Sequence, residues 1–296
     1  MRNSYNLFYF FKQFPDENSC RKYLEIRRWK DIIKCPFCGN HQKIYRYKNG
    51  KTFKCSNCKK QFKVTTGTLF ENSNIPLQKW FLAFYLFALS KKGISSIELS
   101  KTIGITQKSA WYLLHKIRFM LENRKSENLL KGTVEVDETY VGGKKKGKRG
   151  RGSLNKTPVF GAVQRRGRLT ITPVNNTRRS TLEPLINSSV KEGAHIMSDE
   201  WWAYSKLDKA YKHSVVKHKH KEYVRGNVHT NTIEGAWSHL KRTIMGTYHR
   251  PSRKHLSKYC AEFEFSYNSR KKSPIERFNN IVDKNLISVG YRDITG

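Results

Sequence analysis

Acidic residues are scarce in this chain of 296 residues: 23 Asp and Glu stand against 58 Lys and Arg, a formal charge of +35 at pH 7. A compact protein with that imbalance repels itself unless it faces a polyanion. Nucleic acid is therefore the first partner to consider, with an anionic membrane surface a weaker one. An ordinary lysine-rich solvated surface could account for part of the excess. Long apolar runs are also missing. The longest, Trp80 to Ser90, is too short to span a bilayer. The opening MRNSYNLFYFFKQF carries little positive charge, and its apolar stretch stops at Lys12, Gln13 and Pro15, unlike a secretory leader. The expectation is a cytoplasmic protein without a membrane partner. Hydrophobic residues are low at 37%, but the 12% of aromatics argues against a disordered chain. The length suffices for roughly two or three domains.

Cysteine is sparse too, and its placement argues against a disulfide framework. Four of the six cysteines form two C-x2-C pairs, Cys35–Cys38 and Cys55–Cys58, a pattern for metal ligation in a reducing compartment, with two chance pairs or a redox pair as the plainer alternative. Sixteen residues separate the pairs and fit a hairpin: KIYRY, a turn at Asn49–Gly50, then KTFKC. Four thiolates in this order make a tetrahedral zinc ribbon, which leaves His41 a poorer ligand. Arg46, Lys48, Lys51, Lys54, Lys59, Lys60 and Lys63 suit phosphate contact, although a ribbon can equally contact protein. Cys20 and Cys260 fall in amphipathic helical patterns and read as buried thiols.

Around the ribbon the pattern is helical. Ser19 to Trp29 reads as a short packing helix, and Leu77 to Leu89 as a hydrophobic one. Ser95 or Ser96 caps a helix that Gly104 ends, and Thr106 caps the next, with Ala110, Leu113, Leu114, Ile117 and Leu121 inward. This predicts a helix-turn-helix whose second helix enters the major groove. Gln107, Lys108 and Ser109, early in that helix, are the expected base-edge or phosphate contacts. An ordinary three-helix packing unit is the plainer alternative.

The back half begins with VEVDETYVG, where Val134 and Val136 take one strand phase and Glu135 and Asp137 the other. Seven basic residues and no acid follow between Lys144 and Lys156. Lys144, Lys145, Lys146, Lys148, Arg149 and Arg151 of this tract are expected to lie along DNA. Residues 158–164 and 169–174 read as a hairpin, 180–190 as a helix, 195–198 as a strand ending at Asp199, and 211–217 as a further strand. A helix from about Thr232 brings Glu234, Trp237 and Lys241 near one another, because residues three, four and seven apart share a face. Three acids at two strand ends and a helix start can converge on bound metal. Hard oxygen ligands favour Mg²⁺ or Mn²⁺ there over zinc, and Lys241 can hold a phosphate. Capping or simple solvation of the three acids is the alternative. Asn231 is a local competitor for the third position, but a neutral amide is a weaker ligand. His213, His218 and His220 alternate along a basic stretch and suit DNA or surface roles, while Trp201 and Trp202 read as core or as a stacking surface for a distorted DNA end.

The two cysteine pairs, VEVDETYVGGK, the SDE segment, HTNTIEGAWSHLKR and YHRPSRKHLSKYCAEFEFSYNSRK together resemble transposases of bacterial insertion sequences related to the Merlin group. The similarity runs from about Asn6 to Phe278. It implies Asp137, Asp199 and Glu234 as an acidic triad on two divalent ions, and an enzyme that cleaves terminal inverted repeats and inserts them elsewhere. The expected fold class is α/β, a ribonuclease-H-like core preceded by a zinc ribbon and a helix-turn-helix. The expected boundaries are 1–31 helical, 32–70 ribbon, 74–125 helix-turn-helix, 132–283 catalytic domain with the C-terminal helix, and 284–296 tail. The expected partners are double-stranded DNA, as terminal repeats and as target, and at least one further copy of the chain. A DNA-binding regulator, or a junction or repair nuclease without strand transfer, are the competing functions.

Overall fold

In a computed structural model the chain is described for residues 6–123, 128–143, 156–207, 210–217 and 224–284. It divides into two compact units, Met1–Met120 with Lys272–Gly296, and Leu121–Lys271.

The front unit opens with α1 (Leu7–Gln13), capped by the Asn6 side chain, and α2 (Glu17–Trp29), whose capping box pairs Asp16 with Ser19. Three short antiparallel strands follow in the order β1-β2-β3: β1 (Ile44–Arg46), β2 (Thr52–Cys55) and β3 (Gln61–Lys63). The β1–β2 turn needs Gly50, whose φ is +65°, and Asn49 accepts from the amides of Lys51 and Thr52. Only two strands are legible in the sequence; β3 completes the ribbon by placing Phe62 opposite Phe53. The stacked Phe53 and Phe62 rings meet the edge of Trp29 from α2. The ribbon's few apolar residues thus share a core with a helix.

Glu17 of α2 accepts from the Leu77 and Gln78 amides, at 2.9 and 3.0 Å, and so caps α3 (Leu77–Leu89), which begins after Pro76. Next come α4 (Ser96–Ile103) and α5 (Gln107–Glu122). Ser95 caps α4, and Gly104 ends it in the left-handed conformation. The three-residue connection and the buried Ala110, Leu113, Leu114 and Ile117 match the expected pair of helices.

The second unit is built on a five-stranded sheet. Its strands are β4 (Thr133–Gly142), β5 (Lys156–Gln164), β6 (Leu169–Pro173), β7 (His195–Asp199) and β8 (Lys212–Val216). Their spatial order is β6-β5-β4-β7-β8, antiparallel along the β4-β5-β6 meander and parallel from β4 through β7 to β8. Strand alternation sends side chains to two faces, each with its own core. On one, Val134, Val136, Phe160 and Ile196 pack with Leu182 and Ile186 of α6 (Arg179–Ser189). On the other, Val159, Val163 and Ile171 pack with α7 (Asn231–Thr243) and α8 (Leu256–Asn268), through Ile233, Trp237, Leu240 and Phe263. Cys20 and Cys260 are buried, as their helical patterns require.

The last helix, α9 (Pro274–Lys284), departs from the expected boundary at 283. It belongs to the front unit, where Phe278 is fully buried among Phe14, Tyr23, Phe81 and Tyr85. Tyr23 and Arg27 of α2 bond Asn279 and Asp283 of α9. Phe278 thus joins the aromatic cluster of α1, α2 and α3.

Candidate active site and metal centre

β4 and β7 run parallel with Glu135 level with Met197, so Asp137 and Asp199, each two residues further on, stand level on neighbouring strands. Adjacent strands lie about 4.8 Å apart and level residues share a face, which brings these two carboxylates together. Trp201 N–H donates to Asp199 Oδ1 at 3.0 Å, folding the chain back as it leaves the strand. Trp237 Nε1 donates to Asp137 Oδ2 at 3.0 Å, which brings α7 against the same strand. The indole ring rests on Gly161, the residue paired with Asp137 on β5; a Cβ there would stand 2.4 Å from it. Only glycine permits this approach. Glu234 lies one turn before Trp237 on α7 and accepts from Thr230 Oγ1 at 2.9 Å. Lys241, two turns beyond Glu234, is exposed.

Glu135 is the residue that sequence reasoning passed over. It occupies the same strand phase as Asp137 and is wholly buried. Its carboxylate accepts from Thr232 N–H (2.8 Å), Thr232 Oγ1 (2.8 Å) and Ile233 N–H (3.0 Å), satisfying the open amides of α7's first turn. Arg165 Nε pairs with it at 2.6 Å, and His229 Nδ1 lies 3.4 Å away. Arg165 also donates to the carbonyls of Asn227 and His229, at 2.7 and 2.9 Å. The strand that carries Asp137 therefore staples the start of the helix that carries Glu234. An acid two residues before Asp137 in the same phase was the available signal; its partners could not be read from the sequence.

The site is electrostatically loaded. Burial, followed by the charges of Glu138 and Asp199, pushes the Asp137 carboxyl up to about 7, against the Glu138 amide and the Trp237 indole, which favour the ionised form. Glu138 faces the opposite side of the sheet and accepts a hydrogen bond from Tyr204 Oη. The carboxylates of Asp137, Asp199 and Glu234 do not all lie within 4.8 Å of one another. Among the described residues, the one group of His, Cys, Asp or Glu that does so is the four cysteines.

Those cysteines sit on two knuckles of matching construction. Gly39 and Lys59 N–H donate back to the Cys35 and Cys55 carbonyls at 3.0 and 3.1 Å, and both residues take positive φ. Cys35 Sγ lies 3.6 Å from Cys58 Sγ, and Cys38 Sγ 3.6 Å from Cys55 Sγ. Sulfurs about 2.3 Å from a shared zinc stand about 3.8 Å apart in a tetrahedron, so the donor set fits that ion. Burial raises the Cys55 thiol, but the amides of Cys58 and Asn57 and the Asn40 side chain outweigh it, bringing the thiol down to about 6.

Of the expected DNA contacts on α5, Gln107 and Lys108 are exposed and Ser109 is half-buried. Gln107 Nε2 donates to Ser96 Oγ at 2.8 Å, and Ser109 N–H and Oγ both bond Thr106 Oγ1. Lys144, Lys145, Lys146, Lys148, Arg149 and Arg151 lie outside the described residues, as do His218 and His220. His213 Nε2 lies 2.9 Å from Ser198 Oγ, a contact within the sheet.

Residues 129–268 match the model of the ISXO2-like transposase domain, and residues 15–61 that of the transposase zinc-ribbon domain. The chain thus carries an ISXO2-like transposase domain behind a transposase zinc ribbon. It is 29% identical to a protein of transposable element ISH50 from Halobacterium salinarum, over 93% of this chain and 99% of that one. A chain in the crystal structure of a pre-cleavage Mos1 transpososome aligns over 66% of this chain and 75% of that one, at 13% identity and a TM-score of 0.26, too low to bear on the fold. The transposase domain contains Asp137, Asp199, Glu234 and Lys241, and the ribbon match contains Cys35, Cys38, Cys55 and Cys58. Gln107, Lys108 and Ser109 fall between the two matches. The transposase is a mixed α/β protein, and among its described residues no helix is long and apolar enough to cross a membrane.

Proposed function

We propose that this transposase binds the terminal inverted repeats of its element, cuts the DNA to free 3′-OH ends and joins those ends to target DNA. The observation that carries the reading is the level pair Asp137 and Asp199 on neighbouring parallel strands, with the helix of Glu234 stapled to the same strand by Glu135. A β6-β5-β4-β7-β8 sheet, begun by an antiparallel meander and covered by helices on both faces, supports the ribonuclease-H-like reading. The α4–α5 pair, with Lys108 exposed, supports a helix-turn-helix that docks on the DNA end. Cutting and joining two ends calls for at least two copies of the chain on DNA.

Asp137, Asp199 and Glu234 would hold Mg²⁺ or Mn²⁺; burial first, and then the charges of Glu138 and Asp199, raise Asp137, and a divalent cation offsets both. When bound, two such ions supply positive charge at the phosphate and favour an ionised nucleophile. The chain's own groups do the rest. Trp237 and Thr230 orient two of the three carboxylates, and Lys241 holds a neighbouring phosphate oxygen. Water loses a proton to solvent and attacks phosphorus, and the P–O3′ bond breaks to leave a 5′-phosphate and a 3′-hydroxyl. That 3′-oxygen, losing its proton, then attacks a target phosphorus, forming a new P–O3′ bond as the target's own P–O3′ bond breaks and its 3′-oxygen leaves as a hydroxyl. Zinc on Cys35, Cys38, Cys55 and Cys58 would keep the ribbon folded and take no part in the chemistry.

The test is to map cut and joined products with element ends, target DNA and Mg²⁺. Asp137→Asn, Asp199→Asn and Glu234→Gln should each lower product formation by about 10²–10³-fold or more while the variants stay folded and bind ends. Lys241→Ala should lower it only partially. Full activity in all three acid variants would leave a DNA-binding regulator as the better account, and cutting without joining would leave a nuclease.

A further inference from the structure

Trp202 is a large apolar side chain left at the surface beside Asp199, with 51% of its area exposed. Its neighbours explain why it cannot turn inward. Trp201 packs against the α6-side core and donates through Nε1 to the Thr177 carbonyl at 2.9 Å. Tyr204 is buried on the other side of the 3₁₀ turn Trp202–Tyr204 and bonds Glu138. Both flanks are anchored, so the indole between them is held out. Arg179 fixes it further. Its guanidinium lies 5.6 Å from the Trp202 ring centroid and donates to the Trp202 and Ala203 carbonyls at 3.0 and 3.4 Å. A rigid, cation-backed indole at the surface of a chain with a charge of +35 is suited to a flat, electron-rich group carried on a polyanion.

We infer that Trp202 is a stacking site for a nucleobase of the DNA end, unstacked from the duplex next to the cut. The inference rests on the reading of Asp199 as part of the DNA-cleaving site. Three residues of chain span at most about 11 Å between Cα atoms, which keeps the indole within a few base steps of a phosphate held at Asp199. In an intact duplex both faces of every internal base are covered. The indole can be used only where a base has left the stack, so a DNA end already opened at that position costs less to bind.

The inference is tested with duplex copies of the DNA ends flanking the protein's own gene, each carrying one mismatch at successive positions. Full-length wild type, Trp202→Ala and Trp202→Phe are compared by titration in Ca²⁺, with cleavage in Mg²⁺ read in parallel. At one position near the cut, a mismatch should tighten wild-type binding at least about fivefold. Trp202→Ala should lose that gain, Trp202→Phe should keep part of it, and all three should bind the fully paired end within about twofold of one another. The stacking site is overturned if the wild type shows no mismatch gain, or if Trp202→Ala keeps it at every position. A change of oligomeric state in Trp202→Ala without loss of the gain would assign the indole to a protein contact and also overturn it. A Trp202-dependent gain in a wild type that cuts nothing would refute the cleavage reading and leave the stacking site standing.

Discussion

In the ribbon, four cysteine sulfurs stand within 4.8 Å of one another, each pair on a backbone knuckle of the same construction. In the transposase domain, three carboxylates come from two strands and a helix, and the hydrogen bonds go to holding those elements in register. The first centre draws its donors together from 24 residues of chain, Cys35 to Cys58, with a small apolar core shared with α2. The second draws on residues 135 to 241 and on a buried sheet. A closed, soft-donor cluster built from short turns suits an ion kept as part of the fold. An open, hard-donor cluster on a rigid scaffold suits ions that come and go with substrate.

The largest expected effect breaks the first half of that contrast. Cys35→Ser should lose the ribbon's zinc, about one ion per chain, and unfold the ribbon while the transposase domain stays folded, since structural zinc carries about 10–16 kcal/mol of apparent binding energy. Metal analysis and limited proteolysis read it out, and full zinc content in the variant would refute the four-cysteine site. Next is the staple. Glu135→Ala leaves Arg165 Nε and the first-turn amides of α7 without their acceptor inside the protein and should cost about 3–5 kcal/mol. Chemical denaturation measures it, and a loss below about 1 kcal/mol would show that α7 is held by its apolar face alone.

A smaller effect has the opposite sign. Asp137 is raised from 3.8 to about 7 in the folded protein, so its contribution to stability is full below about pH 4 and is lost as pH rises toward 7. Asparagine stays neutral throughout. Asp137→Asn should therefore raise the cation-free Tm at pH 7.5 by roughly 2–8 °C while abolishing activity, and the gain should shrink toward pH 4. A lower Tm across the whole range would contradict it. The smallest effect is at Lys108, exposed at the start of α5. Its replacement by alanine should reduce the salt slope of end binding by about one, and an unchanged slope would remove it from the phosphate contacts.

The sequence carried most of this organisation where a local signal had a local cause. Asp137 and Asp199 could be picked out because each follows an apolar strand pattern, and the cysteines because their spacing permits one arrangement. Gln107 shows the limit: its position on α5 was legible, but its bond to Ser96 depends on how two helices meet. Glu135 is similar, since alternation gave its phase but not its partners 30 to 98 residues further on. β3 was too short to show a period. α9 had the signs of a helix start, with Ser273 and Glu276 bonded reciprocally around Pro274. Its place in the front unit was hidden because the aromatic pocket for Phe278 is made near the opposite end of the chain.

That placement has a consequence for biosynthesis. The front half leaves the ribosome first, yet its aromatic cluster cannot close until α9 has been translated. The transposase domain, continuous from Leu121 to Lys271, has all its strands and helices before then. The usual N-to-C order of domain completion is thus reversed. A polypeptide stopped after residue 271 would hold a finished sheet with every proposed carboxylate ligand, joined to a front module with an open apolar seam, exposed to chaperones and proteases.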